Sequence, residues 1–321
     1  MPFLLSMNPL DYTETGDITP TARELVVRAS LRRLSERVIE ALLFLSALSS
    51  IGITVGIVGI LLYESATFFS HVSIVDFLTD TQWTVLFTDP HYGIMPLVTG
   101  TVVTSAVALL VALPLGTVIA IYLSEYATDK VREIIKPALE MLSAVPTVVF
   151  GYFALLYVTP LLQRLLPNLP GFNMLSAGIV IGIMIIPYVS SLSEDAIKAV
   201  PAQIREGSYA MGATRIQTAW RVLVPSAFSG IASAYVLGFS RAVGETMVVA
   251  IAAGQQPNLT LNPMEGAATI TAYIVQVSLG DLPHGTIAYQ SIFAAGLTLM
   301  LMTLVFNIAG YILRKKFREI Y

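Results

Sequence analysis

Two ionisable side chains stand in a stretch that is otherwise fit for lipid: Gly230-Ile-Ala-Ser-Ala234-Tyr-Val-Leu-Gly238-Phe-Ser-Arg241-Ala242-Val-Gly244-Glu245-Thr246-Met247. Arg241 and Glu245 are four residues apart and so share one face of a helix. Counted from Ser226 at 1.5 Å per residue, Arg241 lies roughly 22 Å into the segment. A mid-membrane arginine costs about 2.5–3.5 kcal/mol on insertion scales. An ion pair offsets part of that cost, but an apolar pair usually serves stability as well. A water-lined pathway therefore accounts for the two charges better than stability does, with a salt bridge that only fixes packing as the alternative. A guanidinium presents a rigid fork that matches the oxygens of phosphate and carboxylate. Glu245, one turn away, would weaken the hold on a dianion so that it can leave. Arg241, Glu245 and Thr246 are the candidate substrate path.

A second constellation is polar and basic, and lies between two apolar runs: Pro201-Ala-Gln-Ile-Arg205-Glu206-Gly-Ser-Tyr209-Ala-Met211-Gly212-Ala-Thr214-Arg-Ile216-Gln217-Thr-Ala-Trp220-Arg-Val-Leu-Val-Pro225. It reads as two short helices. Pro201 suits a first helical turn, where its missing N–H costs nothing. Gly212 can take the positive φ that ends a helix. Thr214 with Gln217 matches the capping box that starts the next one. Pro225 is expected to open the following apolar segment as Pro201 opens this one. A hairpin that carries Tyr209, Met211, Ile216 and Trp220 on its surface is built to dock into another protein; an ordinary amphipathic loop is the plainer alternative.

The elements that must position these residues are membrane spans. The chain has 321 residues, 55% hydrophobic and only 12% charged, about half the charge of an average soluble protein. No charge falls between Glu40 and Glu64, Asp89 and Glu125, Glu140 and Arg164, Arg164 and Glu194, or Asp281 and Arg314. A hydrocarbon core needs about 20 apolar residues per helix. With the Arg241 segment this predicts six spans, near 40–63, 96–123, 138–160, 174–194, 226–254 and 291–313. Pro114, Pro146 and Pro187 are expected inside spans two, three and four, as hinges or as static kinks. Gly230, Ala234, Gly238 and Ala242 recur every four residues and give span five a smooth stripe for close helix packing, within this chain or on a homologous subunit.

Basic residues set the orientation. Of the 18 lysines and arginines, 16 fall in the N-terminal segment, the loops after spans two and four, and the tail, leaving Arg164 and the intramembrane Arg241. Both termini and the Glu206 loop are therefore expected in the cytoplasm. Residues 1–22 are expected to be disordered, and 23–38 either lie amphipathically on the inner membrane surface or extend span one. The start of the chain lacks the basic n-region of a cleavable signal.

Other chemistry is poorly served. With no cysteine, thiol catalysis and thiolate metal sites are excluded. His71, His91 and His284 have no metal-ligand spacing and read as solvated loop histidines. Asn258-Leu-Thr260 fits a glycosylation acceptor by chance, and Glu140 reads as a boundary residue. Ser190, Ser191 and Ser193 follow Pro187 without a histidine partner, which argues against an intramembrane hydrolase. No lysine follows a glycine, so no P-loop exists and ATP would have to be used by a partner. The basic residues flank membrane spans and so do not suggest nucleic-acid binding.

Glu206, Gly212 and Pro225 stand in the order and spacing of the "EAA" loop of ABC-importer permeases, with Gly207 and Ser208 in place of the usual two alanines. The run Ser240-Arg241-Ala-Val-Gly244-Glu245-Thr246-Met247 resembles the signature of phosphate ABC-transporter permeases. Tyr92-Gly93 with Pro96, Leu123-Ser-Glu125-Tyr and Glu140-Met-Leu-Ser-Ala-Val-Pro146-Thr-Val-Val-Phe-Gly151 extend the likeness over about 39–320. The Glu245-Thr-Met ending and the long first external loop resemble the PstC-type subunit more than the PstA-type. The resemblance implies an all-α membrane protein with six transmembrane helices and the type I, MetI-like importer permease fold. It implies a cytoplasmic segment at 1–38, and a permease domain at 39–320 with a coupling loop at 196–226. In that family the loop docks a cytoplasmic ATPase, so Glu206, Gly212, Pro225, Tyr209, Met211 and Trp220 are the candidate coupling residues. The implied chain binds no cofactor. Its implied partners are a PstA-type permease, two PstB-type ATPase subunits that hydrolyse ATP, and an external PstS-type phosphate-binding protein, in a bacterial cytoplasmic membrane. Sulfate, molybdate or phosphonate would suit one pore arginine as well, and a self-contained channel or secondary transporter would use Arg241 and Glu245 while leaving the hairpin idle.

Overall fold

The computed structural model describes residues 22–85, 87, 89–280, 282–283 and 285–316. The expected disorder of 1–22 falls outside these, Ala22 excepted, as do Asp281, His284 and Arg318. The chain divides into two units, Met1–Gly59 and Ile60–Tyr321, and the packing described here is within the second.

Every regular element among the described residues is helical. Helix α1 (Ala22–Phe69) is continuous, so of the two expectations for 23–38 the backbone takes the one that extends span one. A short α2 (Ile74–Thr79) lies in the loop after span one, its first turn capped by Ser73. Helix α3 (Met95–Ile121) runs into a π-helical turn at Tyr122–Tyr126. Helix α4 (Asp129–Ala144) buries none of its residues. A segment made of α5 (Thr147–Phe153), a π turn at Ala154–Val158 and α6 (Thr159–Leu165) follows, then α7 (Met174–Lys198). The hairpin consists of α8 (Ala202–Ala210) and α9 (Arg215–Thr218), the second prolonged by a π turn at Ala219–Leu223 and by α10 (Val224–Ser226). Helices α11 (Phe228–Val243), α12 (Met247–Ala252), α13 (Ile270–Ser278) and α14 (Ile287–Lys316) complete the chain.

Among the described residues, five helical stretches are long and apolar enough to cross a membrane: Glu36–Phe69, Met95–Tyr126, Thr147–Leu165, Met174–Lys198 and Ile287–Lys316. Arg215–Ser226 with Phe228–Val243, bent by 74°, makes a sixth. Three expectations need correction. Span three begins at Thr147 rather than 138, because Val145 and Pro146 take extended backbone and separate it from amphipathic α4. Pro146 therefore precedes a helix instead of kinking one, whereas Pro114 and Pro187 do lie inside α3 and α7. Span five is not one helix over 226–254: α11 ends at Gly244 and the chain restarts as six-residue α12. Pro225 closes the hairpin's second arm before the 74° bend, with Ala227 as the hinge, instead of opening α11.

Helices α3 and α7 form the central pair. Ala108, Ala112, Ala177, Ile181, Ile185 and Val189 are almost wholly buried there, joined by Ala242 of α11 and Val248 of α12. Small residues on one helix against branched ones on the other allow the axes to approach closely. The predicted stripe of α11 packs on α7 of the same chain: a Cβ at Gly230 would overlap that of Ala196, and one at Gly238 would lie 3.1 Å from Val189 Cγ2. A second core packs the loop between spans one and two, with Trp83, Phe77, Phe68 and Tyr92 in edge-to-face contact and Trp83 also against Tyr273. A third joins the hairpin to the helix ends through Ala120, Ile121, Ile197, Leu223 and Ile231.

Candidate functional site

The hairpin has the form its sequence predicts, with one shift. Pro201 is the residue before α8 rather than in its first turn (φ −53°, ψ 137°). The turn closes through Met211 N to Gly207 O at 3.1 Å, Gly212 N to Tyr209 O at 2.9 Å and Ala213 N to Ser208 O at 3.2 Å. Gly212 holds φ at 84°, where a side chain is strained. Thr214 and Gln217 form the reciprocal capping box: the Gln217 amide donates to Thr214 Oγ1 at 3.4 Å, and the Thr214 amide to Gln217 Oε1 at 2.9 Å. Two orphan donors are thereby satisfied without a partner protein.

The hairpin leaves its apolar side chains in the open. Met211 is 89% exposed, Ile216 59%, Trp220 50% and Tyr209 37%, with Glu206 and Pro225 exposed beside them. Exposed apolar clusters of this kind are found where a surface meets another protein or a membrane. The inner face is fixed. Ser208 and Thr218 hydroxyls meet at 2.9 Å across the two arms, and Ala219 and Leu223 are buried.

The hairpin is also tied to the membrane helices by charge, which the sequence did not single out. Arg205 Nη2 of α8 lies 2.8 Å from Oε1 of Glu125 in the π turn after α3, and the Glu125 side chain is 3% exposed. Burial, and then the negative charge of Glu125, push the Tyr209 hydroxyl above the usual tyrosine range. Nearby, Glu194 of α7 is completely buried, with Lys198 in close contact and Arg132 Nε and Lys136 Nζ of α4 each at 3.5 Å. Burial works against the Lys136 charge, but the carboxylates of Glu194 and Asp195 outweigh it and hold the amine above the ordinary lysine value. Arg205, Lys136 and Lys198 had counted only toward orientation. The signal for the second cluster was the spacing of Glu194 and Lys198, one turn apart at the end of a span.

Arg241 and Glu245 are not placed as predicted. The break at Gly244 removes the i,i+4 relation, and none of the ion pairs among the described residues joins them. Glu245 is buried and its Oε1 accepts the Val248 amide at 3.3 Å, so it caps the N-terminus of α12; its own carbonyl accepts the Thr271 hydroxyl at 2.7 Å. Thr246 donates to the Gly244 carbonyl at 3.2 Å. Arg241, in the last turn of α11, lays its guanidinium over the Tyr188 ring at 5.0 Å from the centroid, and its Nε is buried without a hydrogen-bond partner. Such a stacked cation keeps donors available for an anion. Tyr188 lines a cavity of about 240 Å³ with Ser190, Ser191, Lys136, Glu140 and Glu194. Glu140 thus faces that cavity from α4. His91, expected to be solvated, pairs with Asp80 at 2.8 Å, while exposed His71 bonds only to its own helix end.

Residues 112–319 match the family described as "Binding-protein-dependent transport system inner membrane component". A protein of Bacillus subtilis (strain 168) named "Probable ABC transporter permease protein YqgH" is 34% identical over 266 residues, covering 83% of this chain and 84% of that one. The "Phosphate transport system permease protein PstC" of Xylella fastidiosa (strain 9a5c) is 31% identical over 71% of this chain and 75% of its own. Among solved structures, that of a bacterial ABC transporter involved in the import of the acidic polysaccharide alginate superposes with a TM-score of 0.60 at 16% identity, over 89% of this chain and all of the other. The MetNI methionine ABC transporter in an inward-facing conformation gives 0.53 at 18% identity, over 71% and 95%. At these identities the two structures show the shared fold.

Proposed function

The chain belongs to the family of inner membrane components of binding-protein-dependent transport systems, and we propose that it is the PstC-type permease subunit of an ATP-driven importer of inorganic phosphate. The observation that carries the mechanism is the hairpin: a capped pair of helices that leaves Met211, Ile216 and Trp220 exposed. It docks a separate ATPase in the cytoplasm, with Glu206, Gly212, Pro225, Tyr209, Met211 and Trp220 at the contact. Both chain termini lie on that side, in keeping with the basic flanks of the spans. A homologous PstA-type permease completes the pathway, two PstB-type subunits hydrolyse ATP, and a PstS-type binding protein delivers phosphate from outside. The external loops carry more acid than base, which repels free anions and favours delivery by a docked carrier.

Arg241 contacts the phosphate in transit. Its guanidinium is held by a ring instead of a carboxylate, so the ion meets an arginine whose charge is not already spent. A cation–π contact is worth about 0.5–2 kcal/mol and leaves the guanidinium N–H donors free of a competing carboxylate. The assembled complex, purified in nanodiscs with its binding protein, is expected to raise its ATPase rate on addition of phosphate but not of sulfate or molybdate. Equal stimulation by sulfate would replace phosphate as the cargo, and no stimulation by any oxyanion would remove the transport assignment.

A further inference from the structure

The π-helical turn Tyr122–Tyr126 at the end of α3 is an unusual object. A π turn carries one residue more than the helix needs, and such turns recur at functional sites. This one is gripped from two sides. Arg132 of α4 donates Nε and Nη2 to the Leu123 carbonyl at 3.2 and 2.7 Å. Arg205 of the hairpin sets Nη2 2.8 Å from Oε1 of Glu125. The hairpin and α4 thus both hold this turn, one through the buried Glu125 side chain and the other through a backbone carbonyl.

Stability does not account for this arrangement. A buried ion pair is at best neutral against an apolar pair of the same shape. Here the geometry is also poor for stability, because Arg205 Nε and Nη2 and Glu125 Oε1 are buried with no proper hydrogen bond between them. A contact of that kind fixes where two elements sit. We propose that Glu125 and Arg205 are positioning residues that join the coupling hairpin to α3, so that displacement of the hairpin by its ATPase is passed into the membrane. The onward route is packed: α3 lies along α7, and α7 along α11, which carries Arg241. Arg132 adds a branch, since it also approaches Glu194 of α7 at 3.5 Å.

This inference rests on the hairpin being the ATPase-docking element. The experiment reconstitutes the full complex with its binding protein in proteoliposomes and measures phosphate imported per ATP hydrolysed, with co-purification of the ATPase checked in parallel. Glu125→Gln and Arg205→Gln are expected to assemble and hydrolyse ATP while the ratio falls about ten-fold. The double variant Glu125→Arg with Arg205→Glu should recover a large part of the loss, which a packing defect would not. Wild-type ratios in both single variants overturn the joint. If Gly212→Val is uncoupled in the same assay, only the joint falls; if Gly212→Val is also wild-type, the hairpin assignment falls with it. Should the single variants fail to assemble, Arg205→Lys keeps the charge but loses the reach of Nη2 to Glu125 and decides the matter: a lowered ratio supports the joint and an unchanged one overturns it.

Discussion

At the scale of single residues, the side chains that matter are those whose charge is held off the expected partner. Arg241 rests on Tyr188 and Glu245 caps α12, so their roles separate. Arg241→Gln is expected to eliminate phosphate uptake while assembly and binding-protein affinity persist. Arg241→Lys should keep only part of the activity, because a point charge lacks the fork. Glu245→Gln retains the acceptor oxygen for Val248 and should be mild, whereas Glu245→Leu removes the cap at a cost of about 0.5–2 kcal/mol. Arg241→Met with Glu245→Gln is therefore the variant that tests a bracing role: preserved uptake would make Arg241 a brace. A pH effect is expected in the loop between spans one and two. Burial works against the Asp80 charge, but the His91 contact and the backbone amides of Gln82 and Thr81 together outweigh it and hold Asp80 below its ordinary 3.8, and His91 is held above its ordinary 6.5, chiefly by the Asp80 hydrogen bond. The His91 contribution is complete below 6.5 and is lost as pH rises through its raised value. That of Asp80 is complete above 3.8 and is lost as pH falls through its lowered value. The loop is thus best tied between about 3.8 and 6.5. In a Trp220→Phe background, emission from buried Trp83 should shift with a midpoint above 6.5, and His91→Gln should abolish the shift; a flat profile in the parent would contradict it.

At the scale of elements, the hairpin was legible because every stop and start in it is a local signal: Gly212 for positive φ, Thr214 with Gln217 for the cap. Gly212→Val is expected to leave the protein in the membrane, abolish uptake and remove stimulation of the ATPase; wild-type uptake at normal expression would refute the turn's importance. The stripe was legible too, though not its partner. Because Gly238 faces Val189 and Ile185 and Ala234 is 1% exposed, Gly238→Leu or Ala234→Leu overpacks the α7 interface by about 1–3 kcal/mol. Thermal unfolding in detergent should fall more for these than for Leu110→Ala on a fully exposed face, and equal losses would contradict the assignment. Span five was misread because hydropathy does not register a break: Gly244-Glu245-Thr246 is short, and the apolar count runs through it. Span three was misread at its start for the same reason, since apolar α4 positions and α5 sit on either side of Val145-Pro146.

At the scale of the whole molecule, apolar length and the placement of basic residues carried the class of protein, and the long-range ion pairs stayed invisible. Glu125 and Arg205 are 80 residues apart in sequence, and no local pattern couples them; only the packing of α3 against the hairpin brings them within 2.8 Å. The same is true of Glu194 with Arg132 and Lys136. Within Ile60–Tyr321, apolar helices, a charged contact between α8 and the turn after α3, and an exposed hairpin are in one packed unit. Such a chain should move nothing alone. The most direct measurement is uptake of radiolabelled phosphate into proteoliposomes loaded with ATP, with this chain alone and then with the second permease, the ATPase and the binding protein added. The account predicts ATP-dependent uptake only in the complete set, lost on omission of any one component. Phosphate uptake by this chain without the ATPase, or none in the complete set, would contradict it.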